Sequence, residues 1–136
     1  MFIRSSMCNN MDCIVKSDRV LAVKVHNCIF ISVYFPVFRS SPEYDSEISS
    51  IVGVIDIIVA DNAQLPIIIG GDFNLEFHDG STLCYAVNNF MTSANLFRCS
   101  TTETTTCCIL MRRSTFYYAN TLLLLLLIAI LLDCNF

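Results

Sequence analysis

Hydrophobic and polar residues alternate along two neighbouring stretches near the start of the chain. Residues 19–25, RVLAVKV, and residues 28–35, CIFISVYF, are rich in β-branched or aromatic side chains. This pattern is typical of β-strands with one face turned towards a protein core. Only His26 and Asn27 separate the two stretches, and Asn tolerates the positive φ that a two-residue hairpin turn requires. We therefore expect the two strands to pair in antiparallel fashion.

A longer periodicity follows over residues 42–60. Ser40 or Ser41 can cap the N-terminus of a helix here, Pro42 suits its first turn, and acidic residues follow near the positive end of the helix dipole. The pattern predicts an amphipathic helix that packs on a sheet. The apolar residues of its buried stripe are Tyr44, Ile48, Ile51, Val52, Ile55, Ile58 and Val59.

Two further elements complete the predicted fold. Residues 67–70 form a short, wholly apolar run after Pro66, which is typical of a central strand buried on both faces. Residues 82–94 carry apolar side chains on one side of a second helix, and Asn95 suits a left-handed stop at its C-terminus. Because strands and helices alternate, we expect an α/β (α+β) fold in which a mixed sheet carries helices on one face.

Composition narrows the classes of partner. The chain has 136 residues, of which 54% are hydrophobic and 15% are charged, with a net charge of −4 and a pI of about 4.9. Its 8 Lys and Arg residues form no basic run. Binding of nucleic acid draws on clustered positive charge, so composition alone disfavours a polyanionic partner.

The cysteines do not have the spacing of a zinc site. There are 8 of them, no two form a C-x-x-C pair, and His26 and His78 stand apart from one another. The opening residues, MFIRSSMCNNMDC, contain no long apolar core, which argues against a secretory signal. We therefore expect free thiols in an intracellular protein, and the sequence does not distinguish nucleus from cytoplasm.

The segment PIIIGGDFN places polar side chains directly after the buried strand. Gly70 and Gly71 allow a sharp turn and the close approach of a ligand to the backbone. Asp72 and Asn74 lie on the same side of the chain if the backbone stays extended. A carboxylate can take a proton from water or hold a metal, and a carboxamide can donate to a phosphoryl oxygen, so the pair suits hydrolysis of a phosphate ester. The same residues also suit a simple turn after a strand, with no chemical role.

In the order of its elements the chain resembles the endonuclease/exonuclease/phosphatase superfamily, in particular the endonuclease domain of LINE-type retrotransposons. In that family an apolar strand ends in Tyr-x-Pro, a helix follows, and the next strand ends in Gly-Asp-Phe-Asn. The matching residues here are Tyr34 to Pro36 and GGDFN, and NNFMTSANLFRC resembles the helix and corner that follow. The resemblance covers residues 18–106 and implies a fragment of a four-layered α/β sandwich.

The resemblance implies hydrolysis of a phosphodiester by an activated water, with Mg²⁺ as cofactor and DNA as partner. Asp72 matches the residue that orients and deprotonates the water, and Asn74 matches the residue that steadies the water and the scissile phosphate. Tyr34 matches a tyrosine that contacts this phosphate, although a tyrosine half-buried at a sheet edge would fit the same position. His78 has no counterpart in the family, and we interpret it as a loop histidine.

Other parts of the family pattern are absent or altered. The family binds its metal through a Glu near its N-terminus, whereas residues 1–18 here are polar and contain no predicted strand to carry it. The later Ile-Asp-Tyr motif is matched by STFYYANTL, with Tyr117 in place of the Asp. The final Ser-Asp-His motif is matched only by LLDCNF, in which Asp133 and Cys134 stand at the Asp and His positions. The metal ligands therefore stay unassigned.

We interpret the chain as a polar leader at residues 1–18, a partial nuclease-type domain at residues 19–115 and a hydrophobic tail at residues 116–136. Catalytic groups that act as a unit fail together when one is lost. Because the family's Glu and His have no match, we expect this truncated chain to be inactive.

The hydrophobic tail offers an alternative function. Residues 122–132 are apolar without interruption, and the apolar character extends back from Leu132 to Phe116. Eleven residues are fewer than the ~17–25 that a spanning helix needs, whereas the longer stretch reaches that range. Arg112 and Arg113 precede it, as the positive-inside rule favours on the cytoplasmic side. The alternative is a non-catalytic protein with a C-terminal membrane anchor.

Overall fold

The computed structural model describes residues 11–74 and 84–98, and the backbone of residues 82–83 and 107–112. These residues form six strands and two helices. In chain order the elements are β1 (Met11–Lys16), β2 (Val20–Val25), β3 (Cys28–Tyr34), α1 (Pro42–Asp61), β4 (Ile67–Asp72), α2 (Thr82–Ser93), β5 (Leu96–Arg98) and β6 (Cys107–Arg112).

The six strands form one mixed sheet in the order β1-β2-β3-β4-β6-β5. β2 pairs antiparallel with both β1 and β3, β4 runs parallel to β3, and β6 pairs antiparallel with β4 and β5. Parallel neighbours need a crossover connection, and α1 supplies it between β3 and β4. β4 lies in the interior of the sheet, as its apolar sequence predicts. The predicted fold class, a mixed sheet with helices in an α+β arrangement, is confirmed.

The core lies between the sheet and the two helices. α1 contributes its predicted apolar stripe, of which Val52 is only partly buried, and α2 contributes Cys84, Val87 and Phe90. The sheet contributes alternate residues of its central strands, namely Val20, Ala22, Ile29, Ile31, Val33, Ile67 and Ile69. Fully burying one such aliphatic side chain contributes about 1.5–3 kcal/mol, so this stripe fixes α1 against the sheet.

The ends of α1 are set by capping residues. Ser41 has extended backbone angles, and its Oγ accepts a hydrogen bond from the backbone N–H of Tyr44 at 3.3 Å. Hydrogen bonds from the backbone N–H of Glu43 itself and from Ser41 hold the pKa of the Glu43 carboxyl below its ordinary value. At the other end, the backbone N–H and the Nδ2 of Asn62 both donate to the carbonyl oxygen of Ile58, at 3.2 and 2.8 Å. Ser41 is thus the cap, rather than Ser40.

The structure departs from the sequence predictions in its outer strands and in one turn. The prediction that residues 1–18 contain no strand was wrong, because Met11–Lys16 forms β1 at the edge of the sheet. β5 and β6 were not predicted either. The positive φ of the β2–β3 turn falls on His26, at 53°, and not on Asn27, whereas Asn95 has the expected left-handed φ of 53°.

Several predictions fall on residues outside the described part of the chain. They concern His78, Tyr117, Asp133, Cys134 and the hydrophobic tail at residues 116–136, and the membrane anchor therefore stays a prediction. No helix within the described ranges is long and apolar enough to cross a membrane. Cys13 and Cys28 are free thiols.

Candidate functional site

The last residues of the two parallel strands meet at one rim of the sheet. Tyr34 ends β3, Asp72 ends β4, and the two residues are direct register partners. On the other side of β4, Asp72 is the register partner of Cys107 in β6. Tyr34 is 44% exposed and ends β3, which is an interior strand of the sheet, and its contact with a phosphate stays a prediction. The structure therefore brings Tyr34 and Asp72 together, as expected for side chains at the carboxyl ends of parallel strands.

Asn74 reaches the same rim by a different geometry from the one predicted. Its φ of 44° is left-handed, so the backbone does not stay extended after Asp72. The backbone N–H of Asn74 donates to Oδ1 of Asp72 at 3.1 Å, and its Nδ2 donates to the carbonyl oxygen of Phe35 at 2.8 Å. Asn74 thus holds the Asp72 carboxylate in place and fastens the end of β4 to the end of β3.

Two buried aromatic side chains next to the rim residues hold the rim in place. Phe35 and Phe73 are each 2% exposed, and their ring centroids lie 5.3 Å apart at an interplanar angle of 31°. The backbone N–H of Phe35 also donates to the carbonyl oxygen of Asp72 at 2.9 Å. Because these apolar residues alternate with the polar ones, burying the rings presents Tyr34, Asp72 and Asn74 at the rim.

Gly71 allows β3 and β4 to approach closely just before the rim. Its φ is 154°, and a Cβ added to it would lie 1.8 Å from the carbonyl oxygen of Val33. A contact that short with backbone atoms cannot be relieved by turning a side chain. The second glycine of GGDFN is therefore required by strand pairing, whether or not a ligand comes near.

Arg19 holds the ring of Tyr34. Its guanidinium carbon lies 5.0 Å from the ring centroid, within the range of a cation–π contact. Its Nε and Nη2 both donate to Oε1 of Glu47 in α1, each at 2.8 Å. The backbone N–H of Tyr34 donates to the carbonyl oxygen of Arg19 at 2.9 Å. The sequence analysis did not single out Arg19.

The oxygen donors at this rim have the right chemistry for a hard cation. Asp72 offers a carboxylate and Asn74 a side-chain carbonyl, and Mg²⁺ is commonly bound by one or two carboxylates together with phosphate oxygens of the substrate. Across residues 11–74 and 84–98, no three His, Cys, Asp or Glu side chains are grouped so that they could hold a metal ion. Asp72 and Asn74 thus offer two of the oxygen donors that such a cation needs.

Comparison with known proteins identifies the fold but no close relative. No protein-family model and no curated protein matches the sequence. Among solved structures, the 3′ phosphatase NExo from Neisseria, bound to a product DNA hairpin, aligns with a TM-score of 0.55 at 11% identity, over 77% of this chain and 58% of that one.

Two further structures are similar. The catalytic domain of human Nocturnin with bound sulfate aligns with a TM-score of 0.49 at 15% identity, over 76% of this chain and 45% of that one. The beta toxin of Staphylococcus aureus aligns with a TM-score of 0.48 at 10% identity, over 69% of this chain and 42% of that one. All three proteins are members of the endonuclease/exonuclease/phosphatase superfamily.

These identities are low enough that the likeness concerns the fold, and a fold by itself does not specify a function. The alignment with NExo supports the fold, and the chain spans 58% of the length of that phosphatase. The described part of the chain therefore shares its fold with the 3′ phosphatase NExo.

Proposed function

We propose that this chain is part of a divalent-metal-dependent phosphodiester hydrolase of the DNA endonuclease type that LINE-type retrotransposons encode. The observation that carries the proposal is the pairing of Tyr34 with Asp72 at the rim of two parallel strands. The fold adds support, because NExo has this fold and its structure holds a DNA product. The retrotransposon origin rests on the resemblance of the Tyr-x-Pro and Gly-Asp-Phe-Asn segments.

Each residue at the rim has a defined part in this chemistry. The phenol of Tyr34 donates a hydrogen bond to an oxygen of the phosphate. The carboxylate of Asp72 accepts the proton of the attacking water, and the N–H of Asn74 on Oδ1 leaves Oδ2 free to do so. One N–H of the Asn74 carboxamide is engaged by Phe35, which leaves the other for the water or the phosphate. When bound, Mg²⁺ would supply positive charge to the phosphoryl oxygens.

The charge of the chain predicts weak, local binding of DNA. The net charge is −4, and Arg19, whose guanidinium lies over the ring of Tyr34, is already paired with Glu47. Sequence-independent affinity for DNA comes mainly from Lys and Arg that displace counterions. We therefore expect contacts to one or two phosphates at the rim, without a long basic track beside it.

We propose that the 136 residues by themselves do not cleave DNA. They include no match to the family's metal-binding Glu or to the His of its last motif. Loss of one group that stabilises the transition state costs about 10²–10³ in rate, and both groups are unmatched here. Asp72 and Asn74 then act as a phosphate-binding rim without turnover.

Plasmid nicking in Mg²⁺ or Mn²⁺ tests this part of the proposal. The chain and its Asp72→Ala variant are expected to give the same background nicking. Nicking by the chain that disappears in Asp72→Ala would show a working enzyme. The proposed origin has its own test, since a reverse-transcriptase reading frame is expected beside the coding sequence, and intact flanking DNA without one would count against it.

A further inference from the structure

Exposed apolar side chains are concentrated beside the candidate site. Among the described residues, the large apolar side chains that are exposed are Ile14, Tyr34, Val37, Phe38, Ile57 and Tyr85. Tyr34, Val37 and Phe38 lie within five consecutive positions, at exposures of 44%, 59% and 65%. They follow the end of β3, so the most exposed apolar surface of this segment begins at the proposed phosphate contact.

Packing fixes the position of Phe38 even though its ring is exposed. The ring meets the ring of Tyr44 edge to face, with centroids 5.5 Å apart at an angle of 81°. Tyr44 is 4% exposed and belongs to the capped first turn of α1. The segment between β3 and α1 is also tied down at its start, because the N–H of Phe35 donates to the carbonyl oxygen of Asp72. Phe38 thus offers an aromatic surface held by the fold.

We propose that Val37, Phe38 and Arg39, which we call the rim loop, form a stacking platform for an unpaired base of a nucleic-acid strand. This inference rests on the proposed function, since the strand is the one whose phosphate contacts Tyr34 and Asp72. Tyr34 and Phe38 are at most about 14 Å apart along the extended chain. At ~3.4 Å of rise per nucleotide, the platform is within about four nucleotides of the phosphate.

Stacking suits this surface better than electrostatic attraction does. Every base has a π-face, so an aromatic ring can bind single strands of any sequence without a basic groove. Arg39 is exposed in the rim loop and can contact a neighbouring phosphate. Glu43 and Asp45 follow in the first turn of α1, and their negative charges offset that of Arg39, so charge alone gives little attraction for a polyanion here. The aromatic ring must then supply most of the affinity.

The size of the rim loop favours a base over a protein partner. A stable protein interface buries about 800 Å² on each partner. An aromatic side chain offers about 150–250 Å² when fully buried, so three partly exposed side chains fall well short of that area. A single flat base matches a surface of this size.

Two single strands of equal charge test the proposal. We would titrate the full chain into a fluorescently labelled oligothymidylate of about eight nucleotides and into its abasic counterpart, both in EDTA. Stacking of one base predicts that the thymidylate strand binds about 5- to 150-fold more tightly than the abasic strand. Phe38→Ala is expected to abolish this preference and to bind the abasic strand like the wild type.

Ile57→Ala is the matched control. Ile57 is 63% exposed, close to the 65% of Phe38, and lies on α1 about 22 Å along the helix axis from Pro42. It should keep the base preference. Equal binding of the two strands by the wild type, or a preference that survives Phe38→Ala, would overturn the inference. So would a change of oligomeric state in Phe38→Ala, because the surface would then belong to a second copy of the chain.

The abasic strand separates this inference from the proposed function. Its binding depends on phosphate contacts alone, and Tyr34→Phe is expected to weaken it. If Tyr34→Phe leaves abasic binding unchanged, the proposed phosphate site fails. The inference then fails with it, because the platform is proposed for the strand that this site holds. If only the base preference is missing, the rim loop inference fails and the phosphate site stands.

Discussion

The side chain of Asn74 bonds to a residue 39 positions earlier in the sequence, and so joins the end of β4 to the end of β3. Its Nδ2 donates to the carbonyl oxygen of Phe35 at 2.8 Å, and its backbone holds a left-handed φ of 44°. Asn74→Ala removes the hydrogen-bond donor and also places a residue with less tolerance for that conformation at this position. Both effects should destabilise the rim that carries Tyr34 and Asp72.

The two effects can be given magnitudes. Loss of the hydrogen bond costs about 0.5–1.5 kcal/mol, and the left-handed conformation of Ala costs about 1–2 kcal/mol. The expected loss for Asn74→Ala is therefore about 1.5–3.5 kcal/mol. Asn74→Gly loses the same bond without the conformational strain, although it adds about 0.4–1 kcal/mol of unfolded-chain entropy. The order of stability should be Asn74, then Gly, then Ala.

Urea unfolding followed by far-UV circular dichroism measures these differences, provided that the three proteins share one m value. A loss of less than about 0.5 kcal/mol in Asn74→Ala would refute the reasoning, because it would mean that the bond to Phe35 contributes less than a typical intramolecular hydrogen bond. Equal stability of the Ala and Gly variants would refute the conformational part alone.

Two other features make predictions. Gly71→Ala should abolish cooperative unfolding in the same urea assay, because its Cβ would lie 1.8 Å from the carbonyl oxygen of Val33. Gly53→Ala should instead stabilise α1 by about 0.5–1 kcal/mol, because a Cβ at Gly53 would meet nothing within 4 Å. Burial raises the pKa of the Cys28 thiol from 9.0 to about 11, so the unfolded chain ionises first and stability should fall as pH rises from 9 to 11. Cys28→Ala should flatten that fall, while Cys13→Ala, at an exposed thiol, should not; an unchanged alkaline profile in Cys28→Ala would contradict the assignment.

The parts of the fold that follow from local pattern were predicted from the sequence. The stripe from Tyr44 to Val59 and a serine cap before Pro42 define α1, and the observed helix, Pro42–Asp61, differs from the predicted one by a single residue. The β2–β3 hairpin and the interior position of β4 also follow from runs of neighbouring residues. In each case the information lies within one element and the turn beside it.

The missed strands depend on pairing that local pattern does not reveal. β1 is mostly exposed, and its register with β2 shifts between Cys13 and Val15, so its residues do not alternate between buried and exposed faces. β5 has three residues, and β6 pairs with β4 across a long separation in sequence. Such strands are defined by their partners in the sheet.

The candidate site divides in the same way. Tyr34 and Asp72 end parallel strands, so their meeting at one rim could be predicted once the strands were. The left-handed turn at Asn74 and its bond to Phe35 could not, because they arise from packing between distant segments. The roles of Tyr34, Asp72 and Asn74 in catalysis stay predictions.

The most direct test of the phosphate site compares the wild type with Asp72→Asn on the abasic strand, with and without Mn²⁺. In EDTA the carboxylate repels the phosphate, so Asp72→Asn should bind more tightly. In Mn²⁺ at constant ionic strength the carboxylate and the phosphate share the cation. The affinity of the wild type for the abasic strand should then rise by about fivefold, equivalent to about 1 kcal/mol. The affinity of the variant should fall, because Mn²⁺ competes with the protein for the phosphates. A reversal of the order of affinities supports the account, and weakening of both proteins by Mn²⁺ to the same extent would contradict it.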